Sequence, residues 1–198
     1  MRTPRPALIA LTGVLVLSGC AVAAAATLPA PTPATPTRIS VRNVEINRTF
    51  NLPPGTAVTY DRDLVPVGSR VAVSAKSDDG TTTVRLAVRG LQPKRRYGAH
   101  VHDEPCGDTG ASAGPTFQNV VDPVQPSVDP TYANPQNEIW LDFRTDEAGA
   151  GSSQATVDWG FTADRRAKSV VVHAWPTETE AGRAGSAGSE VGCVTVQF

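Results

Sequence analysis

The sequence predicts an all-β domain of antiparallel strands, arranged as a sandwich or a barrel. Short segments alternate apolar and polar residues; in one of them Val84, Leu86 and Val88 share one face, and Arg85 and Arg89 share the other. Turn-forming glycines, prolines, aspartates and asparagines separate these segments, and helix signals are few. Many short strands at this spacing are typical of the two antiparallel architectures.

The predicted strands follow one another along most of the chain. Asp78-Asp79-Gly80 is a hairpin-type turn, and Gly90-Leu91-Gln92-Pro93 turns the chain again. Two long loops are expected, one from 106 to 137 and a Gly-rich one from 181 to 188. The expected strands lie near residues 41–46, 71–75, 84–89, 97–102, 138–144, 155–159, 169–173 and 191–198.

Residues 1–20 resemble the signal peptide of a bacterial lipoprotein. Arg2 and Arg5 precede an apolar run that is too short to span a bilayer, and Leu17-Ser18-Gly19-Cys20 resembles a lipobox. In that interpretation Cys20 becomes the lipid-modified N-terminus, and the protein is anchored to the outer face of the cell membrane. The alternative is an ordinary signal peptide, cleaved within the alanine run 23–26.

An Ala/Pro/Thr-rich segment, 21–37, follows this signal. Prolines are frequent in it, and such a composition predicts an extended, semi-rigid tether. Residues 38–198 then form one domain of ordinary size. Loss of Arg2 and Arg5 would leave 16 basic against 19 acidic residues, and no basic stripe remains, so nucleic-acid binding is not expected.

A pair of histidines lies in one of the predicted strands. His100 and His102 are two residues apart, so their side chains point to the same face, about 7 Å apart along the strand. That arrangement suits a metal ion held between two imidazoles. The sequence contains one further histidine, His173, in the apolar strand 169–173. The alternative is that the three are packed histidines, hydrogen-bonded in the wall of the domain.

Several motifs, taken in order, resemble the copper/zinc superoxide dismutase family, a Greek-key β-barrel. The similarity covers roughly residues 55–198. The best match is Lys168-Ser169-Val170-Val171-Val172-His173-Ala174, which is close to the family's Ser-Val-Val-Val-His-Ala strand. The other matching segments are Gly90-Leu91, Tyr97-Gly98-Ala99-His100-Val101-His102, Ala113-Gly114-Pro115-Thr116-Phe117, Trp140-Leu141-Asp142-Phe143 and Gly185-Ser186-Ala187-Gly188.

The resemblance implies a copper site formed by His100, His102 and His173. It also implies an intradomain disulfide between Cys106 and Cys193, the two cysteines that remain if Cys20 carries lipid. An exported protein is in an oxidising compartment where such a bond persists.

The sequence departs from the family at positions that matter for activity. The family's bridging histidine falls at Thr116, and a hydroxyl is a poor copper ligand. The anion-guiding arginine falls at Glu190, where a carboxylate repels superoxide; Arg183 in the same loop is a possible substitute. No histidine lies between His102 and His173, so a zinc site of the usual composition is not expected.

Three functions follow as hypotheses. The first is an exported, lipid-anchored protein that binds copper and has weak or no dismutase activity. The second is a copper-dependent superoxide dismutase, which converts superoxide to hydrogen peroxide and oxygen. The third is a metal-free interaction module that uses the loop 106–137 as its binding surface.

Overall fold

The computed structural model describes residues 44–78 and 80–198. Nine strands and one short 3₁₀ helix, Gly110–Ala113, occur in these ranges. The strands are β1 (Val44–Thr49), β2 (Ala57–Thr59), β3 (Arg70–Asp78), β4 (Thr81–Arg89), β5 (Arg96–His102), β6 (Phe143–Arg144), β7 (Gly151–Val157), β8 (Ser169–His173) and β9 (Glu190–Thr195).

The strands form two sheets, and every pairing between the strands within them is antiparallel. The first sheet has the order β1-β3-β4-β7, and the second has the order β2-β9-β8-β5-β6. The predicted all-β architecture is therefore confirmed. Of the two arrangements, the structure is a sandwich, because the described strands of one sheet do not pair with those of the other to close a barrel.

Alternation along the strands produces the core between the sheets. In β4 the predicted apolar face, Val84, Leu86 and Val88, is buried, while Arg85 and Arg89 are exposed. The second sheet contributes Tyr97, Ala99 and Val101 from β5 to the same core.

The second sheet is covered on its outer face as well. All five residues of β8 are buried, although only Val170 and Val172 pack in the main core. Val171 faces the other way and packs with Val58 and Cys193 in a smaller cluster. This burial on both sides explains the continuous apolar run 169–173, because a strand covered on both faces needs no polar face.

Glycine at position 98 lets a loop lie directly on this outer face. The Gly98 backbone N–H donates to the Trp175 carbonyl at 2.7 Å. A Cβ at this position would be 2.6 Å from the Ala187 Cβ and 2.7 Å from the Trp175 carbonyl oxygen. Only a residue without a side chain allows this approach.

Some predicted elements differ from those observed. The segment 138–144 runs along β5, but regular pairing is confined to β6, with one isolated bridge between His100 and Trp140. Ile139, Leu141 and Phe143 are nevertheless buried together, as alternation along an extended segment requires. The last strand ends at Thr195 rather than at residue 198.

Two of the tryptophans differ in their surroundings. The indole N–H of Trp159 donates to the Gln136 carbonyl, as expected for a buried ring with a partner at the rim. Trp175 is instead 60% exposed, with the Arg95 guanidinium 4.8 Å from its ring centre.

The predicted signal peptide 1–20, the tether 21–37 and the start of the domain at 38 lie outside the described residues. Within the described ranges, no helix is long and apolar enough to cross a membrane.

Candidate metal centre

The three histidines lie on the outer face of the second sheet. His100 and His102 alternate with the core residues Ala99 and Val101 on β5, and His173 ends the neighbouring strand β8. All three are buried, with relative exposures of 0%, 4% and 6% for His100, His102 and His173. Strand alternation thus places all three on the face opposite the main core.

The structure brings these side chains into one cluster. One ring nitrogen from each histidine lies within 4.8 Å of the others. The Nε2 atoms of His102 and His173 are 3.4 Å apart, and the ring centres of His100 and His173 are 4.8 Å apart. The 3.4 Å contact suits two nitrogens that share one ion, with the third nitrogen close by. This is the only such group of three or more metal-ligating residues in the described part of the chain.

Backbone carbonyls determine which nitrogen carries the proton in two of the rings. The Nδ1 atom of His102 is 2.8 Å from the Gly114 carbonyl oxygen, and that of His173 is 3.3 Å from the Gly188 carbonyl oxygen. A carbonyl only accepts, so both Nδ1 atoms donate. The Nε2 atoms therefore carry lone pairs, and these lone pairs face one another across 3.4 Å.

Hydrogen bonds between side chains determine which nitrogen of His100 carries the proton. The Thr177 hydroxyl donates its only proton to the Asp142 carboxylate at 2.6 Å, so it must accept at its oxygen from the His100 Nε2–H, 2.7 Å away. The Thr177 backbone N–H also donates to Asp142, at 2.8 Å. The His100 Nδ1 atom is left as a buried lone pair with no hydrogen-bond partner.

The site therefore presents three unprotonated ring nitrogens. Burial lowers the pKa of His100 well below its ordinary value and lowers that of His102 to about 3, and the neighbouring imidazoles add to both shifts. Burial also lowers the pKa of His173. Neutral imidazoles whose other nitrogens are held by hydrogen bonds are the form in which proteins bind transition metals. The residues fit a metal ion.

A cavity of about 410 Å³ opens beside the histidines. Among the described residues that line it, two carry carboxylates, Glu138 and Glu190, and none is a lysine or an arginine. The cavity is thus accessible to small solutes, and its charge favours cations over anions.

The two substituted positions lie at this cavity. Thr116 forms an isolated bridge with His102 and lines the cavity wall. Glu190 pairs with His173 across β8 and β9, and it too lines the cavity. Glu190 begins β9 and is half-buried.

Arg183 does not line the cavity, contrary to the suggestion that it could substitute for a guiding arginine. Its guanidinium pairs with the Glu178 carboxylate at 2.9 Å, its side chain is largely exposed, and it is not among the residues that line the cavity. Two aspartates of the long loop are also not among the residues that line the cavity: Asp122 accepts a hydrogen bond from Ser127, and Asp129 accepts one from Thr131.

The predicted cysteine pair forms a disulfide that braces the site. Cys106 and Cys193 are bonded across 87 residues of sequence, which joins the long loop to β9. Cys193 packs with Ala113 and Val171 beneath this loop. A disulfide of this kind favours an oxidising, extracytoplasmic compartment.

Several residues of the site were not found from the sequence. Asp142, Thr177 and Gln118 have no metal-ligand spacing of their own. One signal was present: in 138–144 the apolar residues occupy one face, so Glu138, Trp140 and Asp142 share the other. That face lies against the histidines, as the 5.8 Å between the ring centres of His100 and Trp140 indicates.

Comparisons with known proteins agree with this fold. No protein-family model matches the sequence, and no curated protein matches it. Among solved structures, the chain is similar to a Cu/Zn superoxide dismutase from Brucella abortus, with a TM-score of 0.53 and 15% identity over 78% of this chain and 99% of that one. The two-sheet fold is therefore that of the Cu/Zn superoxide dismutases, as the resemblance predicted.

A second solved structure is similar to the chain in the same way. It is a double mutant of a superoxide dismutase-like protein from Bacillus subtilis, with a TM-score of 0.52 and 14% identity over 80% of this chain and 99% of that one. At such identities the likeness concerns the fold, and the chemistry of the site depends on the residues present.

Proposed function

We propose that this chain is an exported, superoxide dismutase-like copper-binding protein in which His100, His102 and His173 hold the ion. The observation that carries the proposal is the convergence of three buried lone pairs, each oriented by a hydrogen bond at the opposite ring nitrogen. Without a cation, the 3.4 Å contact between the Nε2 atoms of His102 and His173 places two lone pairs face to face.

Copper is the metal that this donor set favours. Imidazole ligands suit copper and zinc alike, but Cu²⁺ binds a given site of nitrogen donors more tightly than Zn²⁺ does. A separate zinc site is not part of the proposal, because the three histidines are the only cluster of potential ligands among the described residues.

The proposed role is copper buffering or sequestration rather than efficient dismutation. A bound copper ion would supply redox chemistry, but the cavity around it does not attract superoxide. Glu190 and Glu138 line it, and Arg183 is paired with Glu178 outside it. An anion approaching this cavity meets negative charge.

The test is a copper titration of purified, disulfide-intact protein. We expect one equivalent of copper to bind, to compete successfully with zinc, and to be lost in His102→Ala. A matched control is Ser186→Ala, which alters the cavity wall without touching a histidine. Absence of stoichiometric binding, or binding that survives His102→Ala, contradicts the proposal.

A copper-dependent superoxide dismutase is the second candidate, and the similarity of the fold to a Cu/Zn superoxide dismutase favours it. Superoxide consumption above that of free copper, abolished by His100→Ala, would establish it. In a double variant, Thr116→His with Glu190→Arg, we expect activity to rise, because the variant adds an imidazole and a cation to the cavity wall.

The third candidate is an interaction module. Three valines of the long loop, Val120, Val121 and Val124, are more than half exposed, which is unusual for apolar side chains so close in sequence. Protein isolated from its native host without metal, together with a failed titration, would support this role over copper binding.

The location completes the proposal. We place the protein on the outer face of the cell membrane, held by a lipid on Cys20 and separated from the membrane by the segment 21–37. The lipobox-like sequence and the disulfide both support export.

A further inference from the structure

Glu138 is an acidic residue buried without a positively charged partner. Its relative exposure is 2%, and no ion pair in the described part of the chain includes it. A buried charge is costly unless a counter-charge or a metal compensates it. If Glu138 is ionised, its negative charge therefore requires a compensating group.

The hydrogen bonds around Glu138 are those of a carboxylate rather than a carboxylic acid. Its Oε2 accepts from the Trp140 indole N–H at 2.6 Å, and its Oε1 accepts from the Gln118 amide N–H at 2.8 Å. The Gln118 amide cannot be reversed, because its oxygen accepts from the Asp122 backbone N–H at 2.9 Å. Both oxygens thus face donors, and a carboxyl proton would have no acceptor among the contacts described.

Burial works against this ionised form. It raises the pKa of the Glu138 carboxyl above its ordinary value, although the hydrogen bonds from Trp140 and Gln118 oppose the shift. The two donors are uncharged, so they solvate the carboxylate but do not neutralise it. A nearby cation would remove the conflict between burial and ionisation.

The geometry puts Glu138 in the same cavity as the place where such a cation would lie. Glu138 lines the same cavity as His100, His102 and His173. Its partner Trp140 lies against His100, with 5.8 Å between the ring centres. Glu138 and Trp140 are two residues apart and share the face that covers the histidines.

We propose that Glu138 is the anionic counter-group of the ion held by the three histidines, and that it makes the site prefer divalent over monovalent copper. The proposal rests on the proposed copper-binding function, since the ion is the one that the histidines hold. Three neutral imidazoles and one carboxylate compensate a divalent cation better than three imidazoles alone, because the carboxylate's attraction scales with the charge of the ion.

The size of the effect follows from Coulomb's law. At an effective dielectric constant of about 20 and an assumed separation of about 10 Å, a unit charge changes the binding of a cation on the order of tenfold per unit of cation charge. Removal of the carboxylate should therefore weaken Cu²⁺ binding about tenfold more than it weakens Cu⁺ binding.

The experiment measures the two affinities separately by chelator competition, Cu²⁺ in air and Cu⁺ under anaerobic, reducing conditions. The variants are Glu138→Gln, which removes the charge, and Glu138→Asp, which keeps the charge but shortens the side chain. Glu180→Gln is a matched control for charge loss, because Glu180 is exposed and does not line the cavity. Thermal unfolding of each metal-free variant reports whether it is folded.

We expect the ratio of Cu²⁺ to Cu⁺ affinity to fall about tenfold in Glu138→Gln and to stay near the wild-type ratio in Glu138→Asp and Glu180→Gln. An unchanged ratio in Glu138→Gln, or an equal fall in Glu138→Asp, overturns the role of Glu138 while copper binding stands. A wild-type protein that binds neither ion overturns the proposed function itself. If Glu138→Gln does not fold, the Glu138→Asp ratio decides: a fall there overturns the proposal, and a retained ratio supports it.

Discussion

At the scale of single residues, the orientation of His100 depends on a threonine that binds no metal. Thr177 accepts from the His100 Nε2–H only because Asp142 takes its proton. The other two histidines are oriented by backbone carbonyls, which no substitution removes. A change of the Thr177 side chain therefore alters the orientation of His100 without replacing a ligand.

Replacement of Thr177 by valine should release His100 from a single tautomer. In the metal-free protein labelled with ¹⁵N-histidine, we expect the His100 signal to change from the Nε2–H form to a mixture, and copper affinity to fall about 10- to 100-fold. Thr177→Ser keeps the hydroxyl and should restore both properties. An unchanged tautomer in Thr177→Val would mean that Thr177 does not position His100.

The buried histidines also make the stability of the metal-free protein depend on pH. Their pKa values lie below the unfolded value of about 6.5, and that of His102 is lowered to about 3. As the pH falls below 6.5, the unfolded chain takes up protons that the folded protein does not, so stability falls. Each such histidine contributes up to about 1.4 kcal/mol per pH unit.

Urea denaturation at pH 7.5, 6.5 and 5.5 measures this dependence. Stability should be greatest at pH 7.5 and lowest at pH 5.5. A His102→Gln variant should show a shallower decline, because one of the three groups is absent. Equal slopes in the two proteins would show that His102 is protonated in the folded state, contrary to its burial.

At the scale of elements, the site depends on the contact between β5 and the loop that follows β8. Gly98 allows this contact, since a Cβ there would be 2.6 Å from Ala187 and 3.2 Å from the Thr177 hydroxyl. The same loop supplies the Thr177 and Gly188 groups that orient His100 and His173. The histidine ligands and the groups that orient them thus come from elements held together by this close packing.

Gly98→Ala should therefore damage both the fold and the site. We expect a loss of about 1–3 kcal/mol in the free energy of unfolding, the usual cost of overpacking, and weaker copper binding because the loop is displaced. Gly160→Ala is a suitable control, because the nearest atom to a Cβ at position 160 is the Thr82 hydroxyl oxygen at 3.8 Å. Similar effects of the two substitutions would contradict the proposed contact.

At the scale of the whole molecule, the predicted lipid anchor would determine where the proposed copper site operates. Cys20 lies outside the described residues, so its modification stays a prediction from the sequence. In a bacterial host, we expect Cys20→Ser to move the protein from the membrane fraction to the soluble fraction without changing its copper affinity. Membrane association that survives this substitution would favour an uncleaved or differently anchored N-terminus.

The sequence by itself determined the strand pattern, the antiparallel all-β class and the three candidate ligands. Alternation in β4 and the apolar run of β8 depend on which face of a strand is buried, and that is a local property. The His100 and His102 pair follows from the same rule. The prediction that His173 joins this pair, and that Cys106 pairs with Cys193, came from the order of the family motifs. The two sets are separated by 71 and 87 positions in the chain, so no local spacing joins them.

Only the tertiary structure decided how the ligands are oriented and what charge surrounds them. Thr177 and Asp142 are 35 residues apart, and Gln118 and Glu138 are 20 apart, so no pattern along the chain pairs them. The choice between barrel and sandwich was likewise settled by pairing at the sheet edges. Hydrogen bonds and burial depend on contacts between distant segments, whereas face alternation depends only on neighbours along one strand.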